Sequence, residues 1–259
     1  MKIHFLLIVL SLASFSFGQD CYRLSSLENF AYDFDDVWNT LEFEGTIGQD
    51  NKRIQVYFER VEKTDSPHKY LLKGKSKVGK NICDFEGYAN ISSLKLLDTD
   101  NIMCEGPDYS FGILEGTYKL AEDRSQKYVG VFEGRFRMMF SKESGQLIPF
   151  SGLHSDEDTH EFVGSWTGYG KEQGKYCAWG IQIPPSPRED LFIYNENSFY
   201  RFNKEYLKKG WETYVVANLG AYLTIQDGNG KWTMDPKKIY SQEFIDRCKA
   251  IEKEKWWRE

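Results

Sequence analysis

The sequence predicts a mainly β protein: an antiparallel up-and-down meander, closed or nearly closed into a barrel, with an N-terminal helix and a C-terminal helical appendage. Two observations support this fold class. A glycine-centred strand motif recurs along the middle of the chain, and no long helical pattern interrupts the stretch from Leu41 to Ile183. The predicted organisation is a leader at 1–18, a helical segment at 19–40, the barrel at 41–184, and an α/β appendage at 185–259 packed on the same domain.

The N-terminal stretch MKIHFLLIVLSLASFSFGQD has the layout of a secretory signal peptide. Lys2 gives a basic start, an apolar run extends from Phe5 to Leu12, and small residues precede Gln19. The run is shorter than the roughly 20 residues that a bilayer-spanning helix needs, and no second apolar span follows. We therefore expect a secreted or periplasmic protein with no transmembrane segment, cleaved after Gly18.

The charge balance excludes some classes of partner. The formal net charge is −6, and it becomes about −7 once Lys2 is removed with the leader. Nucleic acids and anionic membranes both attract basic patches, so a mildly acidic chain predicts no nucleic-acid partner. No glycine-rich phosphate loop is present either, and no cofactor is predicted.

A helical pattern precedes the barrel. In SSLENFAYDFDDVWNTL, apolar side chains at positions 27, 30, 31, 34, 37, 38 and 41 form one stripe. Ser25 and Glu28 have the spacing of a capping box. We expect this helix to plug or pack on one end of the barrel.

The recurring motif consists of an apolar residue, a glycine two positions later and usually another apolar residue after two more positions. Residues i, i+2 and i+4 of a strand share one face, so each copy places a glycine between two inward side chains. Glycine at that position suits a strongly curved sheet in which rings crowd. The copies are Phe43-Gly45-Ile47, Phe85-Gly87-Ala89, Leu114-Gly116-Tyr118, Phe132-Gly134-Phe136, Phe150-Gly152 and Phe162-Gly164-Trp166.

Turn-rich stretches separate these copies, and the alternating runs RIQVYFERV and KYLLKGKSKV add further strands. Closing such a meander into a barrel removes exposed edges and leaves an interior for a small ligand or a packed core. The alternative is a sandwich of two stacked sheets, and we favour the barrel.

The segments FEGTIG, FEGRF and FVGSW resemble the F-x-G-x-W strands of exported lipocalin-like and avidin-like β-barrel proteins, over about residues 41–183. Lipocalins carry Gly-x-Trp on their first strand, whereas Trp166 lies near the end of this barrel. The resemblance implies a barrel fold and a general binding role.

After the linker IPPSPRED, the stretch LFIYNENSFYRF is predicted to form strands, and a helix is predicted between Asn203 and Gly220. A terminal helix should begin at Ser241. Its inward residues would be Phe244, Ile245, Cys248 and Ile251. Trp256 and Trp257 are expected to dock on the domain because exposing tryptophan is unfavourable; a protruding partner contact is the alternative.

The five cysteines are Cys21, Cys83, Cys104, Cys177 and Cys248. Export makes disulfides the expectation. Cys83 and Cys104 flank one candidate hairpin and form the favoured pair, and Cys248 is expected to bond Cys177 or Cys21. No CxxC spacing occurs, which argues against a zinc or redox site built from cysteines.

The loop HSDEDTHE at 154–161 contains the side chains that most resemble a metal or acid–base site. The metal candidates are His154, Asp156, Asp158 and His160. Six residues separate the two histidines, and the glycine of a calcium loop is absent. A solvated hairpin turn is therefore the favoured interpretation, and no metal site or catalytic residue is assigned.

The sequence thus predicts an exported binding protein for a small or partly apolar ligand or a cell-envelope partner, rather than an enzyme. The residues expected to contact ligand inside the barrel are Tyr118, Phe132, Phe136, Phe162, Trp166 and Trp179. A packed core made of the same residues is the alternative. Two other hypotheses are a hydrolase acting on envelope polymers through the 154–161 loop, and an interaction or inhibitor protein presenting the C-terminal helix.

Overall fold

The computed structural model describes residues 22–28, 33–38, 42–66, 68–97, 111–143, 146–149, 160–181, 191–194 and 200–258. The strands β1 to β14 are, in order, Tyr22–Ser25, Glu42–Ile47, Lys52–Lys63, Lys69–Val78, Asn81–Leu97, Phe111–Glu122, Gly130–Glu143, Gln146–Pro149, Glu161–Gly168, Lys175–Gly180, Phe192–Tyr194, Tyr200–Phe202, Leu223–Gln226 and Trp232–Thr233. The helices are α1 (Asp35–Trp38), α2 (Glu212–Asn218) and α3 (Gln242–Lys253), with 3-10 turns at Lys204–Lys209, Pro236–Lys238 and Trp256–Arg258.

Eight of the strands form a closed antiparallel barrel. Their order is β5-β4-β3-β2-β10-β9-β7-β6, and β6 pairs back onto β5 to complete the ring. Strand β1 extends the pairing of β5, and β8 extends that of β7. The predicted mainly β barrel is confirmed, the barrel rather than the sandwich is formed, and the architecture is compatible with a lipocalin-like fold.

The motif glycines lie in barrel strands where neighbouring backbones and rings approach closely. Gly134 of β7 faces Gly164 of β9 directly. A Cβ on Gly164 would lie 2.0 Å from the carbonyl oxygen of Glu133 and 2.7 Å from the Cα of Gly134. At Gly116 a Cβ would lie 2.7 Å from the ring of Phe136. Five copies of the motif are therefore inward strand segments, as predicted; the sixth, Phe150-Gly152, lies outside the described residues.

The predicted N-terminal helix differs from the structure. Tyr22–Ser25 is a strand, and Ser25 pairs with Leu94 of β5 rather than capping a helix. Helix α1 spans only Asp35–Trp38 among the described residues of this segment. Pairing with β5 gives the backbone N–H and C=O groups of Tyr22–Ser25 hydrogen-bond partners outside their own segment. This tertiary contact therefore overrides the local helical pattern.

Helix α1 nevertheless packs on one end of the barrel, as expected. Phe34, Val37 and Trp38 are buried in the barrel core. The indole ring of Trp38 makes edge contacts with Tyr70 at 5.4 Å and Phe136 at 5.3 Å between centroids. This short helix therefore covers the end of the barrel at which β3 passes into β4.

The C-terminal segment forms a second sheet, ordered β11-β12-β13-β14, in which only the pair β12–β13 is parallel within the described residues. Asn203 accepts a hydrogen bond from the amide of Glu205 at 3.1 Å, so the predicted cap is confirmed. The predicted helix, however, breaks at Gly210, whose φ of +97° requires the left-handed region, and α2 begins after it.

Helix α3 begins after Ser241, whose hydroxyl accepts a hydrogen bond from the amide of Phe244 at 3.3 Å, as predicted. Ile245 and Cys248 are buried, but Ile251 is 38% exposed and does not face the core as expected.

The C-terminal segment packs against the outer face of β2 and β3. Trp257 stacks on Tyr57 with centroids 4.3 Å apart, and the indole N–H of Trp211 donates to the carbonyl oxygen of Asn51 at 2.7 Å. Trp256 and Trp257 are both buried, which confirms that they dock rather than protrude. Within the described residues, no helix is long and apolar enough to cross a membrane.

Candidate functional site

The six aromatic residues expected to contact ligand all belong to barrel strands. Five of them, all except Trp166, are at most 3% exposed, and Trp166 is partly buried at one end. Phe162 lies at the centre of the group, with its ring 5.2 Å from Tyr118, 5.6 Å from Phe136 and 5.4 Å from Trp179 between centroids. These separations lie in the range of direct aromatic packing. The rings touch one another, as in a packed core.

Two neighbouring polar atoms at the centre of this core, like the indole nitrogen of Trp38 elsewhere in it, lack hydrogen-bond partners among the described residues. They are the hydroxyl of Tyr118 and the indole nitrogen of Trp179, whose rings lie 5.2 Å apart. Burial raises the pKa of Tyr118 well above its usual value, so the hydroxyl keeps its proton. Most buried polar groups are paired, which makes this neighbouring pair a polar feature of the largely aromatic interior.

The opposite end of the barrel from α1 contains a buried carboxylate. Glu122 is 4% exposed and accepts hydrogen bonds from the Ser76 hydroxyl at 2.6 Å, the Gly130 amide at 2.8 Å and the Trp166 indole at 2.9 Å. Burial raises the pKa of Glu122, although these three hydrogen bonds oppose the rise. Trp166 therefore has a hydrogen-bonding role at the barrel end, in addition to packing.

Of the 154–161 loop, the structure describes only His160 and Glu161. His160 is 1% exposed, and Glu161 opens β9 opposite Arg137. Burial raises the pKa of Glu161, and the charges of Arg137 and Arg135 act against the rise. The other candidates, His154, Asp156 and Asp158, lie outside the described residues. Within the described ranges, no group of three or more His, Cys, Asp or Glu side chains could hold a metal ion.

Cys83, Cys177 and Cys248 are buried free thiols. The predicted bond between Cys248 and Cys177 is thus not formed, because one thiol lies in the barrel core and the other packs beside α2. Burial and the charge of Glu122 raise the pKa of Cys83 to about 11, so its thiol is a poor nucleophile. Cys104 and Cys21 lie outside the described residues.

A cleft of about 330 Å³ lies outside the barrel, between β3, β4 and the C-terminal segment. Strand β3 alternates its faces: Ile54 and Val56 point into the core, while Arg53 and Gln55 point outward into this cleft. We call this feature the lysine cleft. The residues that matter at its opening are Lys52, Lys77, Lys208, Lys209, Ile251 and Glu254.

The floor of the lysine cleft is an ion-pair network around Arg53, which is 7% exposed. Its Nε and Nη2 donate to the two oxygens of Glu44 at 2.8 and 2.7 Å, and its Nη1 and Nη2 donate to those of Glu252 at 2.8 and 2.6 Å. Glu252 also accepts a hydrogen bond from the Thr213 hydroxyl. Each carboxylate makes a bidentate contact with the guanidinium, and together the two contacts hold the Arg53 side chain in one position.

The two carboxylates of this network differ in acidity. Burial raises the pKa of Glu44 despite the opposing charge of Arg53. At Glu252 burial acts in the same direction, but the hydrogen bonds and charge of Arg53, helped by Thr213, outweigh it and hold the pKa below its usual value. The pKa of Arg53 is raised, since its two carboxylates outweigh the effect of burial. Arg53 therefore stays charged and occupied.

The lysines at the opening of the cleft form fewer ion pairs with described residues than Arg53 does at its floor. Lys209 pairs with Asp50 at 2.8 Å, and the ammonium of Lys77 lies 5.6 Å from the ring of Trp256. Lys52 and Lys208 form no ion pair with any described residue. The lysine cleft thus presents positive charge at its opening, above a floor in which one guanidinium faces two carboxylates.

The fold and these sites define a closed eight-stranded antiparallel barrel with a C-terminal segment packed on its outer face. No protein-family model matches the chain, and comparisons with curated proteins and with solved structures return no match either.

Sequence reasoning missed both Glu122 and the Arg53 network. Glu122 had a signal, since it continues the inward series Leu114, Tyr118, Leu120 at two-residue spacing and so brings a carboxylate into the core. The contact between Arg53 and Glu252 had none, because 199 positions separate the two residues.

Proposed function

We propose that this chain is an exported, non-catalytic binding protein in which the packed barrel is a rigid scaffold and the lysine cleft receives the ligand. The observation that supports this most strongly is the built floor of the cleft: Arg53 held by Glu44 and Glu252. Loops and segments positioned on a rigid framework commonly carry binding sites. The cleft volume of about 330 Å³ suits one small molecule or one residue of a polymer.

The aromatic barrel interior is the second candidate site. The Tyr118 hydroxyl and Trp179 indole, which have no hydrogen-bond partner in the described part of the chain, favour it, because a ligand polar atom between them would satisfy both groups. The close ring contacts favour the lysine cleft instead.

The test is isothermal titration of the full mature chain with four probes: a neutral hexose oligomer, a hexuronic acid oligomer, glycerol phosphate and a twelve-carbon fatty acid. We expect saturable binding of at least one probe. Ile251→Trp should abolish it, because Ile251 is 38% exposed at the cleft and a larger ring would fill the opening. The matched control is Ile193→Trp on β11, which is 46% exposed and does not line the cleft.

Binding that survives Ile251→Trp but is lost in Tyr118→Phe would assign the ligand to the barrel interior instead. If none of the four probes binds, the proposed binding function is wrong.

A further inference from the structure

We infer that the ligand of the lysine cleft carries an anionic group, a carboxylate or a phosphate, bound by Lys52 and Lys208. This inference rests on the proposed binding function and names the chemical class of the ligand. The two lysines come from distant parts of the chain, the start of β3 and the 3-10 turn Lys204–Lys209. The fold brings them to one opening.

Some of the charged groups that line the cleft already form ion pairs with described residues, and others do not. Arg53 is saturated by Glu44 and Glu252, and Lys209 is paired with Asp50. Lys52 and Lys208 form no ion pair with a described residue, although the charge of Lys52 also acts on Asp50. The ammonium of Lys77 lies over the ring of Trp256, and its charge also acts on Glu252. Glu254 is the carboxylate at the rim that opposes them. Three lysines therefore face one carboxylate at the opening.

This local excess contrasts with the rest of the molecule. The whole chain has a formal net charge of −6, whereas the charges at the opening of the cleft are mostly positive. A concave site lined by one sign of charge concentrates ligands of the opposite sign. Ammonium groups on flexible stems act as point charges, which suit carboxylates and phosphates alike and do not demand a bidentate geometry.

The floor explains why Arg53 itself is not the anion receptor. Glu252 already makes the two-point contact that an incoming carboxylate would make, at 2.8 and 2.6 Å. Displacing it would leave a carboxylate unpaired in a part-buried setting, which is unfavourable. The ligand anion therefore sits above this ion-pair network, against the lysines, with the ring of Trp256 beneath Lys77.

The experiment titrates the full mature chain with two matched pairs: glucuronate against glucose, and glycerol phosphate against glycerol. We expect measurable binding of glucuronate, glycerol phosphate or both, and none of the neutral partners. Lys52→Gln combined with Lys208→Gln should weaken anion binding about tenfold, since exposed ion pairs contribute up to about 1 kcal/mol each. Raising the salt concentration should weaken it too.

The matched control is Lys231→Gln combined with Lys237→Gln, which removes the same charge from exposed positions away from the cleft. It should leave affinity unchanged. Glucuronate and glycerol phosphate together distinguish a carboxylate ligand from a phosphate ligand.

Equal binding of glucose and glucuronate, lost in Ile251→Trp, would overturn the anionic class and leave the proposed binding function intact. Anion binding that is insensitive to the two lysine substitutions would also overturn this inference. Failure of every probe, including the neutral oligomer and the fatty acid, would overturn both.

Discussion

The two faces of strand β3 present contrasting environments. Inward, Ile54 and Phe58 belong to a core in which aromatic rings contact one another directly. Outward, one residue away, Arg53 lies in a network of charge-assisted hydrogen bonds that joins the barrel to the C-terminal helix. The strand period of two makes this possible, since adjacent side chains enter environments of opposite polarity.

The inward face of β3 contributes to the stability of the core, and the outward face is the one to which we assign recognition. Ring contacts in the core fill space and leave little room for a ligand, whereas the outer face combines a rigid floor with lysines that remain uncommitted. Under the proposed function, the barrel supports the ligand site on its outer face rather than enclosing it. Four substitutions test that division, and we give them from the largest expected effect to the smallest.

Replacing Phe162 with alanine should have the largest effect, because its ring contacts Phe43, Phe58, Tyr118, Phe136 and Trp179. We expect a loss of about 3–5 kcal/mol in the free energy of unfolding, measured by urea denaturation. Phe162→Leu should remain folded and lose less. Leu71→Ala, at a position 51% exposed, is the control, and it should change stability by no more than about 0.5 kcal/mol. A near-neutral Phe162→Ala would mean that the core is not tightly packed.

Replacing Arg53 with methionine should lower the free energy of unfolding by about 3 kcal/mol, because Glu44 and Glu252 would lose their shared partner. Adding Glu44→Gln and Glu252→Gln to the same variant should restore part of the loss. Lys119→Met removes the exposed pair with Glu133 and should lower the free energy of unfolding far less than Arg53→Met does, because water and salt screen this pair. Equal effects of Arg53→Met and Lys119→Met would show that the network does not join the C-terminal segment to the barrel.

Replacing Gly164 with alanine should lower the free energy of unfolding by about 1–3 kcal/mol, because the new methyl would clash with the backbone of β7. Gly228→Ala is the matched control, since a Cβ there meets nothing within 4 Å. It should be neutral or stabilising by about 0.4–1 kcal/mol. Urea denaturation of both variants decides the point, and a tolerant Gly164 would argue against close strand approach as the reason for the motif.

Replacing Glu122 with glutamine should change the pH dependence of stability. The folded-state pKa of Glu122 is raised, so the folded protein binds this proton more tightly than the unfolded chain does. The stabilisation that protonated Glu122 contributes is therefore lost as the pH rises from its pKa in the unfolded chain to its pKa in the folded protein. Above that range the folded protein contains a buried, charged carboxylate, which is unfavourable. Relative to Glu122→Gln, the wild type should lose stability across this window in urea denaturation from pH 4 to 8.

The matched control for that measurement is Glu115→Gln, which alters a part-exposed carboxylate paired with Lys95. A wild type and Glu122→Gln variant with parallel pH profiles would contradict the raised pKa.

The sequence was sufficient for the barrel because its signal is local and repeated. Phe132-Gly134-Phe136 and Phe162-Gly164-Trp166 each predict an inward strand by two-residue spacing alone, and both predictions are confirmed. The caps at Asn203 and Ser241 were equally local. Local signals failed at Ser25, where a partner strand competes for the same backbone groups.

The lysine cleft could not be predicted in the same way. Lys52 and Lys208 resemble ordinary surface lysines in sequence, and only the docking of the C-terminal segment brings them together. The sequence predicts an interior position for six aromatic residues, and five of them are buried there, whereas Trp166 is partly buried at one end. Whether the rings contact one another or line a void depends on strand tilt and closure, which residue spacing does not report.

The seam between β2 and β10 has a consequence for how the chain assembles. All other neighbouring strands in the ring follow one another along the chain, except that β8 comes between β7 and β9. This seam instead pairs Glu44 with Gly180 and Ile47 with Cys177. While the chain folds, one edge of β2 stays unpaired until β10 is available to pair with it. Loop closure over that length makes the final zippering slow, and an unpaired edge invites association with other chains. A chain in which Lys175–Gly180 has not yet paired would therefore expose this strand edge and tend to aggregate. A chaperone would have to protect it until the barrel closes.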